Sequence, residues 1–243
     1  MKNFFESTFF ISLCHPFSSK KRKEKRKEIG ERREELRQKI FLENSQLIFQ
    51  KLSSAIQSFN EPIKVWLEFG TLLGYYREGD VIAHDTDIDF GIEDSIFVSN
   101  FINHLVRNGF KVVNYFKIQS DSNKDLNNFI AEYAIYYKDI VKIDFFVFRT
   151  VGDKKYSYHF DAGNEGWEGK LIVNCIEMDS FNLEECYFKG AKFYIPDNAG
   201  EHLASIYGND FMTPKIYYYC DREKDFEYVV NDAYALKTMN MHS

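Results

Sequence analysis

Asp85, Asp87 and Asp89 stand at alternate positions and run into the apolar Phe90-Gly91-Ile92. Successive side chains along a strand point to opposite faces, so a strand here puts all three carboxylates on one face. Like charges so arranged repel, and carboxylates entering a core cost several kcal/mol unless paired or bound to a cation. The economical counter-charge is a divalent metal, most simply Mg²⁺, with Mn²⁺ an equivalent, held by carboxylates and substrate phosphates. Just upstream lie Phe69-Gly70-Thr71-Leu72-Leu73-Gly74 and Arg77-Glu78-Gly79-Asp80. The order reads as strand, Gly-Thr turn, helix, acidic strand. Glycine lets backbone approach a phosphate closely, and the start of the following helix offers free N–H donors. Asp144, inside the apolar Val141–Phe148 stretch, is a third carboxylate for such a site, although one Lys or Arg would also satisfy it.

The remaining pattern predicts an α/β (α+β) protein, with a small mixed sheet carrying the aspartates, helices on one side, and a long helix near the N-terminus. Leu36, Ile40, Leu47, Ile48, Leu52, Ile56 and Phe59 recur at helical spacing from about Glu31, and the helix should stop before Glu61-Pro62. Strands are expected at 64–69, 87–92, 111–116, 129–137 and 141–148, with Lys138-Asp139 as a tight turn between the last two. A helix is expected over 95–108, with Ile96, Phe97, Phe101, Ile102, Leu105 and Val106 on its buried side. Gly152 to Gly169 reads as an irregular surface loop. A strand end at 193–196 precedes a short helix at 200–207 capped by Asp197 or Asn198. The division we read is an apolar and basic extension over 1–30 and one catalytic domain over 31–243, with a core at 63–150 and an acceptor-side region at 151–243.

Charge is uneven. Lys20–Lys39 holds eleven Lys/Arg and five Glu, so with −6 overall the rest of the chain carries about −12. The basic stretch has three readings: a solvated helix start with Glu24, Glu28 and Glu31 as partners, a nucleic-acid contact, or attraction to an anionic membrane. The acidic body argues against nucleic acid. In the membrane reading, residues 1–27 make a peripheral contact, with Phe4, Phe5, Phe9, Phe10, Ile11 and Leu13 as a shallow anchor. Cys14, Cys175, Cys186 and Cys220 lack zinc-site spacing and are read as free thiols; together with the absence of an Asn-x-Ser/Thr sequon they point to the cytoplasm. Tyr217–Tyr219, next to Ile216, read as packing, and His159 and His202 as ordinary polar residues.

Taken together, Gly70-Thr71-Leu72-Leu73-Gly74, Arg77-Glu78-Gly79 and Asp85-x-Asp87-x-Asp89 resemble the signature of the LicD and fukutin group within the nucleotidyltransferase-fold superfamily. The resemblance continues at Val141–Phe146, at Gly190–Pro196 and at Leu203–Pro214, and so spans roughly Val65 to Pro214. It implies a metal-dependent phosphotransferase that moves a phospho-alcohol, such as phosphocholine, ribitol phosphate or glycerol phosphate, from a CDP-activated donor to a hydroxyl of a glycan or lipid-linked glycan. On this resemblance Asp87 and Asp89 are the metal-binding pair and Asp144 the third carboxylate, as metal ligand or general base. Gly70 and Thr71 match the phosphate-cradling turn, and Arg77 a phosphate contact. His84 stands where many members have Trp or Tyr, and Asp85-Thr86-Asp87 where many have three aspartates, so both His84 and Asp85 are further candidates. Two other readings stay open: nucleotidyl transfer from an NTP to an alcohol, and a membrane-associated glycan-assembly protein without turnover. The expected place of action is cytoplasmic, at the inner face of the membrane.

Overall fold

The computed structural model describes residues 19–162, 169–214 and 227–239. The apolar N-terminal patch, Cys14, Cys220 and Ile216–Tyr219 lie outside the described residues. Helix α1 (Ser19–Gln57) starts well before Glu31 and runs unbroken through the basic stretch. Pairs one turn apart support it there, including Lys25–Glu28 at 2.9 Å and Arg32–Glu28 at 2.6 Å. The side it buries is Phe41, Ser45, Ile48, Phe49, Leu52 and Ala55. Leu36 and Leu47, expected on that side, are exposed. At 3.6 residues per turn the apolar positions read from the sequence belong to two opposite sides of the helix.

Strand β1 (Val65–Leu67) leads into the short helix α2 (Phe69–Leu73), which continues as a π-helical turn over Gly74–Glu78. Next come β2 (Asp87–Glu93) and α3 (Val98–Arg107). Helix α3 buries Val98, Phe101, Ile102 and Leu105, whereas Ile96 and Val106 are exposed, contrary to expectation. Strands β3 (Phe110–Ser120), β4 (Ile130–Tyr137) and β5 (Val141–Val151) follow. Lys138 and Asp139, with φ of +50° and +56°, form the expected tight turn, closed by Ile140 N–H donating to Tyr137 O at 3.0 Å. Two left-handed central residues give the mirror-image turn whose twist matches a hairpin.

The stretch read as a loop after Gly152 is in fact β6 (Lys154–Ala162). Gly152, at φ +65°, supplies the turn between β5 and β6, and residues 154–162 then pair along β7 (Lys170–Asp179). A hairpin of β8 (Leu183–Phe188) and β9 (Ala191–Pro196), helix α4 (Ala199–Tyr207) and β10 (Glu227–Met239) complete the described chain. Asn198 occupies the position before α4 but makes no capping side-chain bond, and the Asp197 carboxylate accepts from Asn182 instead.

The sheet is mixed, as expected, but it is neither small nor flat. In order β5-β4-β3-β10-β7-β6 and back to β5 its strands close a six-stranded barrel. Strands β1 and β2 form a wing on β5, and β2 runs parallel to β5 over residues 142–148. Barrel closure comes from β6, β7 and β10, strands that the sequence pattern does not predict. The wing and β5 bury one face under α1 and α3 through Phe49, Phe90, Phe101 and Phe145, while Ile118, Val173, Cys175 and Ala235 cluster among the barrel strands. Cys175 and Cys186 are buried free thiols. Among the described residues no helix is long and apolar enough to cross a membrane.

Candidate active site

The parallel register of β2 and β5 sets Asp87 opposite Lys142 and Asp89 opposite Asp144. Alternation along each strand then brings all four side chains to one face. One carboxylate oxygen from each of Asp87, Asp89 and Asp144 lies within 4.8 Å of the others. Lys142 Nζ donates to Asp144 Oδ2 at 2.6 Å and lies 4.0 Å from Asp87 Oδ2. The other Asp144 oxygen, Oδ1, is buried without a hydrogen-bond partner. Glu132 on β4 sits two residues along from the Asp144 register partner Ala134, on the same face, and is itself buried.

Asp85 is not on the strand, which begins at Asp87. It reaches the cluster from the preceding turn, where its Oδ1 accepts from Thr86 N–H at 3.0 Å. A Cβ built on Gly70 would lie 3.0 Å from Asp85 Oδ2 and 3.1 Å from Asp89 Oδ2, so the three groups crowd one spot.

The electrostatics follow from burial and mutual repulsion. Burial, then the Asp87 charge, pushes Asp85 up to about 7. Asp89 is raised by burial and by the charges of Asp87, Asp85 and Asp144. Burial raises Asp144 to about 6 even though Lys142 pulls it down. Glu132 is pushed up to about 8 by burial and by Asp144. Burial lowers Lys142, but the neighbouring Asp144 outweighs it and holds the ammonium above its usual range.

Helix α2 fixes the geometry from the other side. Gly70 N–H donates to Asp89 Oδ2 at 3.0 Å, and Asp89 N–H donates to Thr71 Oγ1 at 2.8 Å. Thr71 is buried, with its hydroxyl turned to the Asp89 backbone; Gly70 lines the cavity in front. Ahead of them Phe69 adopts φ +43°, a left-handed conformation rare for a bulky residue, with its ring 4.7 Å from Phe146 and 5.0 Å from His159. Glu68 holds that conformation. Its wholly buried carboxylate accepts from Phe69 N–H at 3.2 Å and from Trp66 Nε1–H at 2.5 Å, and lies 2.6 Å from His202 Nε2. Its own N–H donates to Asp89 O at 3.2 Å. His202 is thus a buried partner of Glu68, not an ordinary polar residue.

A cavity of about 450 Å³ opens over the cluster, lined by Asp85, Asp87, Asp89, Asp144, Glu132 and Lys142, with Arg77, His84 and His159 among its walls. Arg77 is nearly buried; its Nε donates to Glu78 at 2.8 Å and its Nη1 to Phe211 O at 3.1 Å. His84 is exposed at the cavity edge. Sequence reasoning missed Glu132, Lys142 and His159. The available signals were a glutamate inside the apolar run 130–137 and a lysine one alternation before Asp144.

An all-oxygen donor set of clustered carboxylates, one with a buried oxygen left unsatisfied, fits a hard divalent cation. Lys142 answers part of the negative charge, and the surplus remains for a ligand.

The sequence family described as "LicD/FKTN/FKRP, nucleotidyltransferase domain" matches residues 62–198, more than half of the chain. Among curated proteins, the ribitol-5-phosphate transferase FKTN of Macaca fascicularis and that of Homo sapiens are each 25% identical over 174 residues. That of Mus musculus is 23% identical over 175 residues. Each comparison covers 72% of this chain and 34% of the relative, so the chain spans about a third of the length of the curated relatives it matches. The match covers the wing, α2 and the acidic face of β5, and on it the chain belongs to the LicD/FKTN/FKRP family.

Proposed function

We propose that this chain is a metal-dependent phosphotransferase that moves a phospho-alcohol of the choline, ribitol or glycerol type from a CDP-activated donor to a hydroxyl of a cell-surface glycan. The observation that carries the reading is the convergence of Asp87, Asp89 and Asp144, with Asp144 Oδ1 left unsatisfied in the buried floor. Those three carboxylates would hold Mg²⁺ or Mn²⁺, which when bound would neutralise charge on the donor's diphosphate. Gly70 and Thr71 keep Asp89 aimed into the cavity, and Lys142 fixes Asp144. Arg77, in the cavity wall, would face the donor's diphosphate. The acceptor oxygen attacks the phosphorus of the transferred group, the phosphoanhydride bond breaks, and CMP leaves with its electron pair. The hydroxyl proton passes to a cavity carboxylate outside the metal-holding trio, Glu132 being the one on the neighbouring strand.

Asp87→Asn and Asp89→Asn should each abolish transfer from CDP-choline, CDP-ribitol or CDP-glycerol while leaving the fold intact by circular dichroism. Undiminished turnover in both variants defeats the proposal. The family's description as a nucleotidyltransferase domain favours one second reading, transfer of a nucleoside monophosphate from an NTP to an alcohol. That reaction releases pyrophosphate in place of CMP, so product analysis separates the two. Cytoplasmic action at the inner face of the membrane, with peripheral contact through residues 1–27, belongs to the same proposal, and co-sedimentation with anionic vesicles tests it.

A further inference from the structure

One buried ionisable pair takes no part in the transfer itself. Glu68 follows β1 and caps α2, His202 lies within α4, and both side chains are shut off from solvent. His202 Nε2 lies 2.6 Å from Glu68 Oε1. Two further donors reach the carboxylate, Phe69 N–H on the same oxygen at 3.2 Å and Trp66 Nε1–H on the other at 2.5 Å. Those two groups can only donate, so the carboxylate accepts at each oxygen, and an N–H at His202 Nε2 completes a three-donor set. Phe181 wedges the imidazole in place, edge-on to it at 5.0 Å and to Trp66 at 5.4 Å.

We propose that Glu68 and His202 are positioning residues of the metal site: through Phe69 they aim the Asp89 carboxylate, and α4 thereby sets the affinity for the divalent cation. The inference rests on the metal-dependent reading of the site. Its starting point is Phe69, whose left-handed φ of +43° persists only where its surroundings hold it. The kinked segment grips Asp89 at three points. Glu68 N–H donates to the Asp89 carbonyl at 3.2 Å, Gly70 N–H to Asp89 Oδ2 at 3.0 Å, and the Asp89 N–H donates to Thr71 Oγ1 at 2.8 Å. A slackened kink would therefore turn the Asp89 carboxylate away from Asp87 and Asp144. An apolar pair could pack α4 against α2 without the desolvation that a buried ion pair carries. It could not accept from Phe69 N–H, and that bond is the one that keeps the left-handed residue in place.

The test is isothermal titration calorimetry of the full chain with Mg²⁺ and with Mn²⁺. His202→Leu removes the donor and should raise Kd about tenfold, whereas His202→Gln, whose amide can donate to Glu68, should stay within about threefold of wild type. Glu68→Gln keeps the size, but either orientation of its amide turns an NH₂ against Phe69 N–H or Trp66 Nε1–H, so it should lose affinity as His202→Leu does. Adding Trp66→Phe removes that conflict for one orientation. The double variant should regain affinity while losing stability in urea, a separation that a merely structural role would not produce. In the metal-free chain, amide exchange at Phe69 and Gly70 should be faster in His202→Leu and Glu68→Gln than in wild type. Variants that bind the cation as tightly as a binding-competent wild type overturn the inference and leave the metal reading standing. So does a double variant no better than Glu68→Gln, whereas a wild type that binds no cation overturns both. Should His202→Leu fail to fold, Glu68→Gln and the double variant carry the same comparison.

Discussion

Replacing Gly70 by alanine should separate metal affinity from stability. Gly70 is helical, with no left-handed backbone requirement, so on backbone grounds alanine should stabilise α2 by about 0.5–1 kcal/mol. The new methyl, however, would meet Asp85 Oδ2 at 3.0 Å and Asp89 Oδ2 at 3.1 Å. Both oxygens must retreat by a few tenths of an ångström, and Asp89 Oδ2 must stretch its bond from Gly70 N–H. Mg²⁺ demands near-octahedral geometry at about 2.0–2.1 Å and tolerates such displacement poorly. We therefore expect Gly70→Ala to keep its unfolding free energy within about 1 kcal/mol of wild type. Its Kd for Mg²⁺ or Mn²⁺ should rise about tenfold, equivalent to about 1.4 kcal/mol, with turnover falling at least as far. Isothermal titration calorimetry and urea unfolding read the two quantities separately. Gly30→Ala is the control: nothing lies within 4 Å of its Cβ, so it should gain stability and leave metal affinity alone. Wild-type metal binding and turnover in Gly70→Ala would refute the claim that carboxylate crowding reserves this position for glycine.

Other outcomes follow from the same geometry. Asp85 and Asp144 have folded pKa values raised from 3.8 to about 7 and about 6. Their stabilising effect is therefore complete below about pH 4 and is lost as pH rises through 6–7. Without metal the chain should be about 2–4 kcal/mol more stable at pH 5 than at pH 8, and saturating Mg²⁺ should remove the difference. Urea unfolding in EDTA checks this, and stability that climbs from pH 5 to 8 would contradict it. Lys142→Met strips the ammonium from the Asp144 ion pair; it should cost about 3 kcal/mol at pH 8 without metal and less when Mg²⁺ is present. An unchanged melting temperature would show that Lys142 is dispensable. Gly91→Ala would place a Cβ 2.2 Å from Cε2 of the wholly buried Trp66, and should destabilise by about 2–3 kcal/mol in thermal unfolding. A stable variant would mean that Trp66 has room to move.

The acidic centre was the most legible part of the chain, because a charge inside an apolar run needs a reason to be there. That argument found Asp87, Asp89 and Asp144, and parallel register did the rest by setting Asp89 beside Asp144. Asp85 lines the same cavity, but it arrives from the turn before β2 and not by strand alternation, because the strand begins at Asp87. Glu132 and Lys142 escaped notice because each becomes meaningful only when β4 and β5 are paired. The barrel was illegible for a similar reason. Glycines at 152, 163, 166 and 169 suggested a loop, yet a glycine at a left-handed turn ends one strand and starts the next. Leu171, Val173 and Cys175 did alternate, but local alternation cannot tell which strand will lie alongside.

Strand β5 belongs to the wing through residues 142–148 and to the barrel along both of its edges. Freeing the wing would leave residues 142–148 of β5 an open edge, and excising the cylinder would leave β2 one. A chimera joined within 141–151 must therefore inherit both neighbours of that strand from one parent. Insertions should be tolerated best in the connections at the rims, where they leave the acidic floor in place.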